Sequence, residues 1–150
     1  MTKEEFVRLA AEAALECFRQ SGFPPGITVA QAALESGWGR SRLSRGVHNY
    51  FGIKAHAGGP FIEMLATEVR DGRPVRCTAR FARYESMQAC FADRDLIIAT
   101  LTCYAGARAS AGDPEAFVRT LAKHWATDPK YAEKVLAIYR RHRLDQLDQK

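Results

Sequence analysis

The chain has 150 residues, of which 47% are hydrophobic and 26% are charged. This composition is ordinary for a globular protein and excludes a disordered or low-complexity chain. No apolar stretch approaches the length of a membrane span, so we expect none. The net charge of +5 indicates an anionic partner, and nucleic acid, a membrane surface and an acidic cell-wall polymer all fit that description. We expect residues 1–150 to form a single domain.

The N-terminal segment MTKEEFVRLAAEAALECFRQ is acidic and amphipathic. It lacks the basic start, the apolar stretch and the small-residue cleavage site of a signal peptide. We therefore expect a cytoplasmic protein, a protein that a secretion apparatus exports or lysis releases, or a protein whose leader has been removed.

Capping residues and helical spacing predict the first helices. Thr2 to Glu5 is a capping box that opens a helix ending near Gly22. A second capping box, Thr28 to Gln31, predicts a short helix that runs to about Ser36. The segment from Ser41 to Arg45 is expected to add a further turn or two.

The period changes between Phe61 and Tyr84, where apolar and polar residues alternate as they do in a β-strand. Asp71 and Gly72 separate two such runs, and Asp-Gly in that position is the strongest short signal for a hairpin. We predict an antiparallel β-hairpin lobe at about 56–84 in an otherwise helical chain. The predicted fold class is α+β, mainly α.

The helical pattern returns after the hairpin. Ser86 is expected to cap a long helix, and residues 105–112 are expected to form a loop. Asp113 and Asp128 each precede a proline, so each is predicted to cap a helix with proline at the first helical position.

The cysteines form no CxxC pair and have no histidine at zinc-site spacing, so we expect no metal and no cofactor. Cys90 and Cys103 fall in an apolar helical pattern, which predicts buried thiols. The even number, with Cys17 and Cys77, permits two disulfides without assigning them.

Glu35 stands where a run of small apolar residues gives way to Gly37-Trp38-Gly39. A general acid for glycoside cleavage must keep its proton near neutral pH, and apolar surroundings raise the pKa of a carboxyl group for that purpose. Leu34 and Trp38 are candidate walls of such a site. The alternative is a solvated glutamate near the end of a helix.

The segment HNYFGIKA follows. Asn49 either contacts a sugar acetamido group or braces a loop, since its side chain both donates and accepts. Tyr50 and Phe51 either stack on sugar rings or fill the core. From the residues alone, bracing is favoured for Asn49 and core packing for Phe51.

Glu68 lies in the predicted hairpin. A glycosidase needs one carboxyl group that protonates the leaving oxygen and a second group that activates water or stabilises the cation, so Glu68 is a candidate partner for Glu35. The alternative, which spacing alone favours, is a solvated glutamate paired with Arg70, Arg76 or Arg80.

Four ordered segments, AQAALESGWGRS, NYFGIKA, TEVRDGRPVRCTARFARYES and HWATDPKYAEKV, together resemble the glucosaminidase domain of glycoside hydrolase family 73. That family includes flagellar-rod-associated peptidoglycan hydrolase domains and many autolysins. The resemblance implies a lysozyme-like fold, in which a cleft separates a helical lobe from a small antiparallel β-hairpin lobe. It also implies endo-acting cleavage of the β-1,4 bond between N-acetylglucosamine and N-acetylmuramic acid in peptidoglycan.

The resemblance also implies site residues. Glu35 matches the catalytic glutamate of the family, and Glu68 matches its second acidic residue. The residues expected to bind the glycan strand are Trp38, Asn49, Tyr50, Phe51, Tyr84, Trp125 and Tyr131.

One segment departs from the family pattern, which usually reads Gly-Tyr-Ala-Thr-Asp-Pro, with its tyrosine near the catalytic centre. Here Trp125 takes the place of that tyrosine. Either Trp125 is an aromatic platform, or Tyr131 supplies the hydroxyl group, or substrate preference has changed. The family also leaves open whether the 2-acetamido group of the substrate replaces a second carboxylate as nucleophile.

The predicted function is that of a peptidoglycan hydrolase, and the alternative is a non-catalytic peptidoglycan-binding module with the same fold. A nucleic-acid binder has only the charge in its favour. The missing leader suits a phage-type lysin. It also suits a toxin that a secretion apparatus delivers into a rival's periplasm, and such a protein resembles the glycoside hydrolase effectors of type VI secretion. An effector of that kind implies a cognate immunity protein that occludes the cleft.

Overall fold

The structure is a computed structural model that describes residues 1–149. A helical lobe and a hairpin lobe make up the fold, as expected. The helices are α1 (Lys3–Ser21), α2 (Pro25–Ser36), α3 (Arg42–Val47), α4 (Met87–Thr100), α5 (Ala105–Ala109), α6 (Pro114–Trp125) and α7 (Tyr131–Arg141). Short 3-10 helices span Thr102–Tyr104 and Leu144–Asp148, and the strands are β1 (Phe61–Arg70) and β2 (Arg73–Ala82). The predicted class, α+β and mainly α, is confirmed.

The hairpin follows the local signal in the sequence. Strands β1 and β2 pair antiparallel from Phe61 with Ala82 to Arg70 with Arg73. Asp71 and Gly72 have φ angles of 52° and 75°, the left-handed conformations that a two-residue hairpin turn requires. The turn therefore has the geometry that Asp-Gly favours.

The start of α2 differs from the prediction. Thr2 caps α1 and Gly22 ends it, as expected. However, α2 begins at Pro25, so Thr28 lies inside the helix, where its buried hydroxyl donates to the carbonyl of Pro24. The physical reason is that proline has a preset helical φ and needs no N–H at the first helical position.

Two predictions after the hairpin also require correction. Residues 105–109 form the short helix α5 within the predicted loop. The last helix starts at Tyr131, because the Asp128 carboxylate accepts the N–H of Lys130 at 2.9 Å and closes a turn before the helix begins. Ser86 and Asp113 cap α4 and α6 as predicted.

All four cysteines are free thiols. Cys90 is fully buried, as its position in an apolar helical pattern predicts. Cys103 is exposed instead of buried, because α4 ends at Thr100 and the 3-10 turn that follows changes the direction of successive side chains.

The core surrounds α2, whose residues 25–33 are all buried. Neighbouring helices pack against it with the fully buried side chains Phe6, Phe91, Phe117, Val118, Leu121 and Val135. Because α2 is enclosed, its C-terminal end, which carries Glu35, has a fixed position in the molecule. Within residues 1–149, no helix combines the length and the apolar character needed to cross a bilayer.

The N-terminus of α2 is held by the other end of the chain. It has no side-chain cap of its own, and the Asp148 carboxylate accepts the N–H of Gly26 at 2.7 Å. The same carboxylate accepts the hydroxyl of Tyr139 at 2.6 Å. A Cβ at Gly26 would lie 2.3 Å from the carbonyl oxygen of Leu144, so only glycine permits this approach.

Candidate active site

Glu35 lies in the last turn of α2, at a cleft of about 720 Å³ between the two lobes. The helix ends at Gly37, whose left-handed conformation lets its N–H donate to the carbonyl of Ala33. The other residues that line the cleft are Phe51, Gly52, Ile53, Lys54, Thr67, Ile97, Tyr104, Trp125, Ala126, Thr127, Asp128 and Tyr131.

The environment of Glu35 favours the protonated acid. Its side chain opens into the cleft and is exposed there, yet the surrounding protein removes part of its hydration and raises the pKa of the carboxyl group. The nearby Tyr131 hydroxyl opposes this rise in pKa in part. A glycan in the cleft would displace the remaining water and raise the pKa further. Glu35 therefore has the property that a general acid needs.

The NYFGIKA segment passes close to this carboxyl group. Gly52 has a left-handed backbone with φ of 66°, and a Cβ there would lie 3.9 Å from Oε2 of Glu35. A side chain at Gly52 would strain the backbone and narrow the cleft beside the acid. Glycine at this position thus keeps the acid accessible.

Asn49 braces this segment instead of binding sugar. Its side chain is buried, and Nδ2 donates to the carbonyls of Ile53 at 2.9 Å and Ala82 at 3.0 Å. Its Oδ1 accepts the N–H groups of Phe51 and Ile53. Because these bonds use both ends of the amide, the expectation that Asn49 binds the glycan is corrected to a bracing role.

Trp38 and Tyr50 are not among the residues that line the cleft. The backbone at Trp38 is left-handed, with φ of 61°, and the indole packs against Phe6 and against His142, with ring centres 6.0 Å and 4.7 Å apart. Tyr50 is buried between Phe6 and Phe91. These rings stabilise the core around α1, which corrects the expectation that they contact sugar and that Trp38 walls Glu35.

Tyr84 takes part in a polar cluster that joins the hairpin base to α4. Its hydroxyl donates to Oδ2 of Asp93, and Nε2 of His56 lies 2.7 Å from the same oxygen. Tyr84 is therefore placed outside the cleft lining, as a link between the lobes. In residues 1–149, neither this cluster nor another group of His, Cys, Asp and Glu side chains is arranged to hold a metal ion.

Glu68 is not brought into the cleft lining with Glu35. Its carboxylate accepts hydrogen bonds from Nζ of Lys54 at 2.9 Å and from the thiol of Cys77 at 3.2 Å. Nη2 of Arg70 lies 3.6 Å from its Oε1. The hydrogen bond from Lys54 is the largest cause of the lowered pKa of Glu68. Its neighbour Thr67 lines the cleft, and successive side chains of a strand point to opposite faces. The structure thus shows Glu68 paired with Lys54 as well as with Arg70.

An aromatic wall lies on the helical side of the cleft. The rings of Phe51 and Trp125 meet edge to face with centres 6.2 Å apart, and Tyr104 lies 6.1 Å from Trp125. Tyr131 is buried at the same cleft. Tyr104 was not predicted as a site residue, since it lies in a 3-10 turn that carries no periodic signal. Phe51, Tyr104 and Tyr131 are buried and Trp125 is half-buried, so Trp125 is the most accessible ring of the wall.

A buried polar group beneath the cleft was also missed. Arg94 is fully buried, and its guanidinium donates to Oε1 of Gln31 at 3.1 and 2.7 Å. It also donates to Oγ1 of Thr28 and to Oδ1 of Asp95, each at 2.8 Å. The helical period does place Arg94 on the inner face with Cys90, and that was the available signal.

An acid of raised pKa at a cleft between a helical lobe and a hairpin lobe is typical of the class of glycoside hydrolases. Within that class, the chain belongs to the glucosaminidase family. The profile of the family described as mannosyl-glycoprotein endo-beta-N-acetylglucosaminidase matches residues 11–144. The identification made from the four sequence segments is confirmed, and so is the expectation of a glycoside hydrolase family.

Curated relatives agree with this assignment. The peptidoglycan hydrolase FlgJ of Pseudomonas aeruginosa is 35% identical over 144 residues, which cover 91% of this chain and 36% of the relative. The exo-glucosaminidase LytG of Bacillus subtilis is 32% identical over 130 residues, which cover 83% of this chain and 46% of the relative. The chain thus spans less than half the length of these relatives.

Solved structures share the fold. The catalytic domain of the autolysin Auto from Listeria monocytogenes is 29% identical with a TM-score of 0.86, over 97% of this chain and 86% of that one. A truncated glycoside hydrolase domain of FlgJ from Salmonella typhimurium is 31% identical with a TM-score of 0.77, over 95% of this chain and 98% of that one. A type VI secretion effector–immunity complex from Pseudomonas protegens is 21% identical with a TM-score of 0.59, over 95% of this chain and 94% of that one, which shows similarity of fold alone.

Proposed function

We propose that this chain is an endo-β-N-acetylglucosaminidase that hydrolyses the β-1,4 bond between N-acetylglucosamine and N-acetylmuramic acid in peptidoglycan. The observation that supports it is Glu35, an acid of raised pKa beside an aromatic wall in an open cleft. Relatives named as peptidoglycan hydrolases support the substrate. The expected place of action is the periplasm or the cell wall.

In the proposed mechanism, Glu35 gives its proton to the glycosidic oxygen as the bond to the anomeric carbon breaks. The substrate's 2-acetamido oxygen then bonds to that carbon. Water opens the resulting ring, its hydroxyl joins the anomeric carbon, and its proton returns to Glu35. This route suits a cleft in which Asp128 is bound by Lys134 at 2.6 Å and Glu68 is bound by Lys54.

Mass spectrometry of digested peptidoglycan tests the proposal. We expect fragments with N-acetylglucosamine at the new reducing end. Fragments with N-acetylmuramic acid at that end would identify a muramidase and overturn the choice of bond. Binding to peptidoglycan with no new reducing ends would instead support the alternative, a non-catalytic binding module.

The two tryptophans provide a matched test of the cleft. Trp125→Ala removes part of the aromatic wall, and we expect the KM for soluble glycan strands to rise roughly tenfold, because ring stacking is lost. Trp38→Ala removes a ring that packs on Phe6, so it should lower the melting temperature and leave KM unchanged. Equal effects of both changes on KM would contradict a sugar-binding role for Trp125.

Delivery by a type VI secretion apparatus and occlusion of the cleft by an immunity protein stay predictions. The similar effector–immunity complex shares only the fold with this chain. Expression in the producer's periplasm, with and without the neighbouring gene product, addresses both. Toxicity that the neighbour relieves would support them, and toxicity that no neighbour relieves would count against them.

A further inference from the structure

The fully buried Arg94 determines how the Gln31 amide is oriented. Two nitrogens of its guanidinium group, Nε and Nη2, donate to the same Oε1 of Gln31. Rotating the amide by half a turn would place its two N–H donors against the N–H donors of Arg94, which has no acceptor. The Gln31 Nε2 group is therefore held on the side away from Arg94.

The Tyr131 hydroxyl is close to both Gln31 and Glu35. Gln31 stands one helical turn before Glu35 in α2, so both side chains leave the same face of the helix. The Tyr131 hydroxyl and Nε2 of Gln31 are both buried, and neither makes a hydrogen bond of normal geometry within residues 1–149. The hydroxyl interacts electrostatically with both Glu35 and Gln31.

The chemistry of these groups sets the direction of each hydrogen bond. The Gln31 Nε2 group only donates, so the phenol oxygen must accept from it. The phenol proton is then directed to the carboxyl oxygen of Glu35. We propose that Arg94 and Gln31 are positioning residues that make the Tyr131 hydroxyl a donor to Glu35. One oxygen of Glu35 is thereby occupied, and the other is left to carry the proton that the glycan receives.

The inference rests on the proposed function only for its effect on catalysis, because the pKa of Glu35 can be measured without substrate. The experiment is a titration of the side-chain carboxyl carbons, labelled with carbon-13, by NMR. The other titratable groups that line the cleft are Lys54, Tyr104 and Asp128, and all variants leave them unchanged.

Tyr131→Phe removes the donated proton. A hydrogen bond to a carboxylate favours its charged form, so its loss should raise the pKa of Glu35 by about one unit. In an active enzyme, the basic limb of the pH–rate profile should move to higher pH by the same amount. An unchanged pKa would overturn the proposal.

Gln31→Glu reverses the direction of the proposed hydrogen bond between the side chain at position 31 and the Tyr131 hydroxyl. The new carboxylate still accepts from Arg94, but it offers no donor, so the Tyr131 hydroxyl turns toward it. In this background, Tyr131→Phe should no longer shift the pKa of Glu35. The negative charge added at position 31 is present both with and without Tyr131→Phe, so its effect on the pKa of Glu35 cancels in the comparison. A shift as large as that caused by Tyr131→Phe alone would show that Gln31 does not orient the hydroxyl.

Arg94→Lys keeps the charge and removes the paired donation to Gln31. We expect it to raise the pKa of Glu35 in the wild-type background and to leave it unchanged in the Tyr131→Phe background. Equal shifts in both backgrounds would mean that Arg94 affects Glu35 independently of Tyr131 and would overturn its role. Arg108→Lys is the matched control, because Arg108 donates to the carbonyls of Ile98 and Leu101 and should not affect Glu35. If Arg94→Lys does not fold, the Gln31→Glu series decides the question.

A protein that shows these pKa shifts but releases no sugar would contradict the proposed function and retain this inference. A protein that releases sugar with a pKa of Glu35 insensitive to Tyr131→Phe would contradict this inference and retain the function. The two failures are therefore distinguishable.

Discussion

Glu35→Gln should lower the rate at which reducing ends are released from purified peptidoglycan by about a thousandfold, within the range that general acids contribute. The amide has nearly the shape of the acid but no proton to give to the glycosidic oxygen. The cleft and its aromatic wall remain, so binding of glycan strands should persist. A reducing-sugar assay measures the rate, and sedimentation with peptidoglycan measures binding.

The matched control for this change is Glu12→Gln, which makes the same substitution at an exposed position of α1. It should keep wild-type activity. If Glu35→Gln retained activity near that of the wild type, the assignment of Glu35 as the acid would be wrong.

The pH dependence follows from the raised pKa of Glu35. The acid must hold its proton, so activity should fall as pH rises through a pKa above that of an ordinary carboxyl group. The same shift means that the folded protein binds this proton more tightly than the unfolded chain does, and stability is lost as pH rises between the two pKa values. At neutral pH, Glu35→Gln should therefore unfold no more easily than the wild type.

Arg94→Ala should lower the free energy of unfolding by about 3–5 kcal/mol, the usual loss when one partner of a buried ion pair is removed. The change leaves the buried carboxylate of Asp95 without its cation and deprives Gln31 and Thr28 of their donors. Denaturation in urea at neutral pH, followed by circular dichroism, measures the loss.

Arg108→Ala is the control, since this half-buried arginine also donates two hydrogen bonds, both to backbone carbonyls, and within residues 1–149 it is paired with no carboxylate. It should cost about 1–2 kcal/mol. Adding Asp95→Asn to Arg94→Ala should recover part of the loss, because no unpaired charge then remains. Equal losses for the two arginines would show that the buried pair is not what makes Arg94 important.

Local signals predicted most of the elements. Thr2, Ser86 and Asp113 cap helices, because their side chains bond nearby backbone N–H groups, and Asp71-Gly72 forms the hairpin turn, because both residues adopt left-handed φ angles. The same kind of signal was misleading at Thr28. There the proline pair upstream starts the helix earlier, and contact with the end of the chain holds that start in place.

The site residues divide in a similar way. The motif around Glu35 was sufficient to predict the acid, and it also identified Trp125 and Tyr131 as residues near it. The glycan-binding roles expected for Trp38, Asn49, Tyr50 and Tyr84 were not decided by the motif. A motif states which residues are needed, and it does not state which surface each side chain faces.

The sequence by itself determined the family and the two-lobed fold and singled out Glu35 as the candidate acid, because these depend on residue types at fixed spacing along the chain. Only the tertiary structure decided which aromatic rings meet the cleft, that Glu68 is bound by Lys54, and that Arg94 binds Gln31, one helical turn before Glu35. These features depend on contacts between residues that are far apart in the chain. Those contacts determine which side chains are buried and which are paired, and a local sequence pattern does not predict them.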